Sequence, residues 1–556
     1  MKLRLSFILL GVSASLVLVT GCHSSRQIPP AARAVESNSA VNRRAQAHAF
    51  YAQGVVHEMQ KKGDEALDAF HKAAELDPGN EELVVQVARR WLLLKKSDRA
   101  LELLRVAVAE PGSTAMLDVL LGTAYANTGK TNLSIESNLR ATRKTPGLLA
   151  GHQNLQLNYA QAGRTNDAIK VLDDAAKLRA VDADFLVGLS ELYVNCAATL
   201  PTLKSNAHPK ALVLLNRAEA MTVTNVHSRV RLADGFNVLG QPDKAANLYQ
   251  SLLADFPDAP LLQEHLRAKL TDIYLRGKDR GKAVEQLEVI TKADPGNLQA
   301  HYYLAMLAAE VGDAEKAAKH YGHVVVLNPK FEQAHYDLAT SQLAAGRTNA
   351  VFKTLREAQK RFGQNFVSEF LLGMAHVRSG QFAEGVKRYA TAENIARTND
   401  VKRLTPMFYF QAGMALERKG DYTEAVNYFE KALEKNPEFH EAANYLGYMW
   451  AERGENLERA KELIERAVKV EPKNNAYLDS LAWVLFKQGR AREALPLIQQ
   501  SIEIAEAEKD VDATLYDHLG DIEMALGERA KAHEAWRKAL LLGPNEVIRK
   551  KLEAAP

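Results

Sequence analysis

Cysteine is nearly absent: the 556 residues hold two, Cys22 and Cys196. A disulfide framework is therefore excluded, and stability has to come from packing along a long chain. A charge excess is missing too, since 71 Lys and Arg face 68 Asp and Glu for a net charge of +3. That balance gives neither the basic footprint of a nucleic-acid binder nor a polybasic membrane surface. Apolar runs are confined to one place, Leu5 to Val19. Catalytic signatures are missing as well. His57-Glu58, His440-Glu441 and His533-Glu534 begin a zinc-peptidase H-E-x-x-H, but the fifth positions are Lys61, Asn444 and Arg537. No G-x-S-x-G nucleophile elbow occurs, and no stretch outside the periodic pattern described below is long enough for a catalytic domain.

What is present begins at the N-terminus. Lys2 and Arg4 precede the Leu5 to Val19 run, which is too short for a comfortable membrane span of roughly 20 residues. It ends in Val19-Thr20-Gly21-Cys22, which resembles the lipobox of bacterial lipoproteins. The resemblance implies a signal peptide over residues 1–21, cleavage before Cys22, and acylation, including palmitate, on the Cys22 thiol. Two or three acyl chains at about 0.8 kcal/mol per buried methylene anchor a protein stably where one chain does not. His23 rather than Asp after the Cys points to the outer membrane, with the folded part facing the periplasm. Residues 22–42, with Ser24, Ser25, Pro29, Pro30, Ser37, Asn38 and Ser39, show no apolar periodicity and read as a flexible linker. Cys196 then remains alone and reads as a small buried hydrophobe in a helix pair.

From about residue 47 to 546 the chain repeats itself with a period near 34 residues. The clearest unit runs from Phe408 to Pro437, with Gly413, Gly420, Ala425, Phe429, Ala432 and Pro437 in place. Gly54, Ala66, Phe70, Ala73 and Pro78 repeat it near the start, and Gly520, Gly527, Ala532, Trp536, Ala539 and Pro544 near the end. Between them Ala100, Ala168, Ala245, Ala283, Ala317 and Ala494 hold one register, and Pro146, Pro257, Pro295, Pro329 and Pro472 another. Each feature has a mechanical reading. Small residues let paired helices approach, and the bulky residue four positions after the Ala fills the space beside them. Gly at the turn accepts a positive φ, and Pro stops the second helix.

This pattern resembles the tetratricopeptide repeat. The resemblance implies an all-α fold, a right-handed superhelical solenoid of about fourteen helix-turn-helix copies with a concave inner surface. Irregular spacing divides it into an N-terminal array over 43–180, an irregular copy with an insertion around Ala197 to Ser205 over 181–221, a central array over 222–400, and a C-terminal array over 401–556. Spacers near Arg397 to Thr405 and Ala507 to Asp512 are candidate hinges, and Glu546 to Ala554 a capping helix.

Two further patterns bear on ligands. Ala124 to Thr131 spells a phosphate-binding loop, but Tyr125 and Gly129 are the helix aromatic and turn glycine of a repeat, so no nucleotide is expected. His301, His320, His323 and His335 lie close in sequence, yet His301 and His335 hold the same repeat position, which explains their recurrence without a metal. No catalytic residue, metal ligand or cofactor is expected.

The family's first-helix positions 5 and 9 line its groove. Position 5 reads Tyr302, Tyr336, Phe370 and Phe410, then Asn444 and Asp479; position 9 reads Met306, Thr340, Met374, Met414, Tyr448 and Trp483. This aromatic and Met-rich stripe suits an apolar peptide or helix, and equally suits packing between neighbouring helices. The Lys and Asn combination with which related domains clamp chaperone tails is absent. The expected function is a membrane-anchored scaffold that binds proteins in an envelope process: outer-membrane assembly, pilus biogenesis, cell-wall enzyme docking or secretion. A component of exopolysaccharide synthesis or export is the alternative, and an enzyme the reading with least behind it.

Overall fold

The computed structural model describes residues 38–199 and 204–554. The signal peptide over 1–21, Cys22 and the linker as far as residue 37 lie outside the described residues. Residues 38–42, read from sequence as the end of that linker, already belong to the first helix, Asn38–Met59.

All regular structure among the described residues is helical: 29 α-helices and a short 3-10 turn. Twenty-eight of the helices follow one another as fourteen hairpins, from Asn38–Met59 with Gly63–Leu76 to Ala513–Ala525 with Arg529–Leu542. The last helix, Glu546–Ala554, follows the fourteenth hairpin and packs on its second helix. Two compact units divide the chain, Met1–Leu252 and Leu253–Pro556. The described residues of each form a run of these hairpins, in which a helix packs on its partner and on the next copy.

Ala66, Ala100, Ala168, Ala245, Ala283, Ala317, Ala425, Ala494 and Ala532, the register alanines, have no accessible surface at all. They sit where two helix axes meet, and a larger side chain would hold the axes apart. Turn geometry is as specific. Gly129, Gly312, Gly346, Gly380, Gly420 and Gly527 all adopt positive φ, but Lys61, Lys95 and Lys278 take the same left-handed turn at φ 58 to 60°. The turn therefore tolerates a non-glycine residue, at a cost of roughly 1 kcal/mol.

Both C-terminal spacers follow a second helix of 18 residues and begin with its last turn. The second helix of the Phe366 copy runs on to Asn399, and a 3-10 turn, Val401–Arg403, leads into Pro406–Lys419 with Leu404 buried. The second helix before Ala513 runs from Ala491 to Glu508 and ends on a left-handed Lys509. Of the insertion, residues 197–199 end the Ala183–Thr199 helix and the next helix starts at Lys204. Cys196 is buried and free, in that first helix.

Candidate protein-binding groove

Three consecutive copies of the second unit build the candidate site. Their first helices are Glu332–Ala344, Phe366–Arg378 and Pro406–Lys419. Asn365 sets the start of the middle one: its carboxamide accepts from the Ser368 N–H at 3.0 Å, and the Ser368 hydroxyl accepts from the Asn365 N–H at 3.3 Å. This reciprocal cap fixes where the helix begins and hence which side chains face the groove. Phe366, Phe370, Met374 and Val377 then fall on one face, spaced by four, four and three residues.

The nine stripe residues do not share one environment. Tyr336 is only 4% exposed; its hydroxyl donates to Glu332 at 2.9 Å and accepts from Asn365 Nδ2 at 2.6 Å. Burial, reinforced by Glu332, pushes that phenol up to about 12. Trp483 is also core, stacked on His518 with ring centroids 3.8 Å apart and on Phe486 at 5.0 Å. Its indole N–H has no partner among the described residues. Met306 is the opposite case, exposed on its helix.

The others are half-buried. Phe370 lies among Phe366, Tyr389 and Phe408, with centroids 5.9, 5.8 and 5.9 Å away. Met374 bridges the apolar clusters on either side of it. Tyr302 rests on Tyr321 and Phe331, while Phe410 rests on Phe429, Phe439 and Tyr445. Met414 and Tyr448 pack on the core of the last copies.

Tyr336, Phe370 and Met374 together line an open cavity of ≈ 660 Å³, between the first helices of two successive copies. Leu343, Leu371, Phe366 and Val377 complete its apolar wall, and Asp337, Gln333, Arg378 and Gln411 supply polar edges. A second cavity of ≈ 620 Å³ adjoins it and shares Gln333, Tyr336, Phe366 and Val367. The structure thus makes Phe370 and Met374 the accessible apolar surface, with Tyr336 as its floor. Phe366 and Asp337 were outside the sequence reading. Their signal was available in principle, since Phe366 stands one helical turn before Phe370 and Asp337 next to Tyr336.

Tyr448 lines a smaller, polar cavity of ≈ 380 Å³ with Asn444, Tyr445, Asp479, Asp510 and Asp512. The Asp479 carboxylate there accepts from His518 Nδ1 at 2.7 Å.

The remaining sequence signals find structural roles. The Ala124 to Thr131 stretch runs from the end of helix Ala115–Asn127 through a turn into helix Thr131–Lys144, with no strand before it. His152, His301 and His335 each donate through Nε2 to the carbonyl of the proline six residues earlier, Pro146, Pro295 and Pro329, at 2.7, 3.2 and 3.0 Å. These histidines therefore close the bend between copies. His301 Nδ1, left as an acceptor, takes the Nδ1 proton of His320 at 2.9 Å, and His323 stacks on His301. Among the described residues, no group of three His, Cys, Asp or Glu is disposed to hold a metal ion. No helix among them is long and apolar enough to cross a membrane.

Family models described as tetratricopeptide repeat match residues 47–80, 228–259, 269–323, 410–458 and 451–509. A repeat-containing protein of Pseudomonas aeruginosa is 25% identical over 230 residues, which cover 40% of this chain and 36% of that protein. YpiA of Bacillus subtilis, also repeat-containing, is 20% identical over 287 residues, covering 51% of this chain and 65% of YpiA. The chain spans less than two thirds of either relative. Among solved structures, yeast Tom70 is similar at 16% identity and a TM-score of 0.33, over 84% of this chain and 98% of that one. Tetratricopeptide repeats are thus present in both units, and such repeats serve generally as scaffolds for protein–protein contact.

Proposed function

We propose that this array of tetratricopeptide repeats is a non-catalytic scaffold that captures a partner protein in the groove lined by Phe370 and Met374. The observation that carries the reading is the open ≈ 660 Å³ cavity walled by aromatic and methionine side chains. Half-buried aromatics and flexible methionines are the residues that gain most from covering by a partner and adapt to its shape.

The setting we propose is a bacterial envelope. The Val19-Thr20-Gly21-Cys22 motif supports acylation of Cys22 and attachment to the outer membrane with the repeats in the periplasm. Work in outer-membrane assembly, pilus biogenesis, cell-wall enzyme docking or secretion fits a tethered scaffold of this size.

The test is photocrosslinking in cells from a reactive residue at position 370 or 411, with mass spectrometry of the product, beside a Cys22→Ser variant. A discrete partner crosslinked from both positions supports the groove; crosslinks confined to the chain itself refute it. Acylated, membrane-bound protein that becomes soluble on Cys22→Ser supports the anchor, and unchanged fractionation removes it.

A further inference from the structure

Asp337 stands on the edge of the groove one residue from Tyr336, half-buried among aromatic rings. Its carboxylate accepts from Gln333 Nε2 at 2.8 Å. Burial holds its carboxyl above the usual range, with no cation acting against that shift. The neighbours that feel its charge are the phenols of Tyr302 and Tyr321, both pushed upward by burial first and by Asp337 second. Arg378 lines the same cavity, but its Nη1 donates to the Leu343 carbonyl at 2.6 Å. A carboxylate kept partly dry with only an amide as donor is costly in the free protein, and a cation delivered by a ligand offsets that cost.

Two other polar groups of the groove are committed within the chain. Thr340 donates its hydroxyl to the Tyr336 carbonyl at 2.8 Å, and Gln333 is held by Asp337. An extended peptide laid along this wall would leave its backbone N–H and C=O groups facing Phe366, Phe370, Leu371 and Met374 with nothing to bond. A helix satisfies its own backbone and presents only side chains.

We infer that the groove takes an amphipathic helix of a partner protein, whose apolar face covers Phe366, Phe370 and Met374 and which carries a Lys or Arg that pairs with Asp337. The inference rests on the proposed function, since it names the partner chemistry of the same groove. It also sets a direction: the basic residue lies toward the Glu332–Ala344 helix and the apolar face toward Phe366–Arg378.

Three synthetic peptides of about 18 residues, roughly five helical turns, test it by fluorescence anisotropy on the full chain. One is Leu and Lys with helical periodicity, one the same composition alternating with period two, and one Leu and Glu with helical periodicity. The helical Leu/Lys peptide is expected to bind about tenfold or more tighter than either of the others. Asp337→Asn should abolish its preference over Leu/Glu, and Asp337→Glu should restore it. Equal binding by the period-two peptide overturns the helical occupant and leaves the groove standing. A preference over Leu/Glu that survives Asp337→Asn overturns the role of Asp337. Binding of the helical peptide that is unchanged in a Phe370→Ser, Met374→Ser double variant, or no binding by any of the three, defeats the groove itself along with the inference.

Discussion

The Phe429 ring lies directly on the α-carbon of Gly413: a methyl group added to that glycine would stand 2.7 Å from the ring. The same pairing recurs as Gly54 with Phe70, Gly373 with Tyr389 and Gly520 with Trp536, at 2.6, 2.7 and 2.4 Å. In these four hairpins the glycine of the first helix makes room for the aromatic of the second. Gly413→Ala is therefore expected to destabilise by about 1–3 kcal/mol from overpacking, less the fraction that better helix propensity returns. Chemical denaturation of the variant measures the difference. A smaller partner, Phe429→Leu, should recover part of the loss in the double variant, because the two sites share one space.

Gly322 offers the opposite case. It lies inside helix Ala314–Leu327, a Cβ there meets nothing within 4 Å, and its φ is not in the left-handed region. Gly322→Ala should raise stability by about 0.5–1 kcal/mol through helix propensity and a less flexible unfolded chain. An unchanged or lower midpoint in urea would contradict that packing.

Tyr336 and Phe370 occupy the same repeat position yet should respond differently. Tyr336→Ser removes a buried ring and strips Glu332 and Asn365 of their partner, so a loss of about 3–5 kcal/mol is expected. Phe370→Ser, at a half-buried ring, should cost about 1–2 kcal/mol while lowering partner capture far more. Paired melting and crosslinking experiments separate structure from surface.

Acid should loosen the array. Burial lowers His152 and His301, and burial followed by the His301 charge lowers His320 to about 4; Lys319 and His323 act on it in the same direction. For a histidine with a depressed folded value, the unfolded chain binds more protons between that value and about 6.5. Stability from these groups is complete above that window and is lost as pH falls through it toward the folded values. The melting temperature is expected to drop between pH 7.5 and 5, and to drop less in a His301→Phe, His320→Leu double variant. Equal falls in both proteins would show that the drop has another source.

The last helix should act as a cap. Ile548 is buried, and the Lys551 ammonium donates to Asp517 and Asp521, both at 2.7 Å. Asp521 also accepts from the Trp536 indole at 3.2 Å. Deleting residues 546–556 would expose apolar surface of the last hairpin and leave two neighbouring carboxylates without their cation. Hydrogen exchange should then accelerate over 513–542 while the hairpins before Asn475 keep their protection.

The hairpin count, the turn glycines and the register alanines were legible in the sequence, and fourteen hairpins stand where about fourteen copies were read. The reason is range: in a stacked repeat each helix packs on its neighbours in the chain, so local periodicity carries the fold. The spacers near Arg397 and Ala507 interrupt the period because the second helix before each runs to 18 residues, about one turn longer than the 14 of Tyr422–Lys435. The groove was legible as a list of positions only. Whether a position-5 aromatic becomes floor or surface depends on what the next copy lays over it. Asn365 caps its own helix and reaches back to Tyr336, drawing that ring into the core, while Phe370 stands between Phe366 and Phe408 with one face open to the cavity. The uncompensated charge of Asp337 belongs to the same class of fact. Nothing in the order of residues separates a solvated aspartate from a half-buried one; only the rings folded around it do.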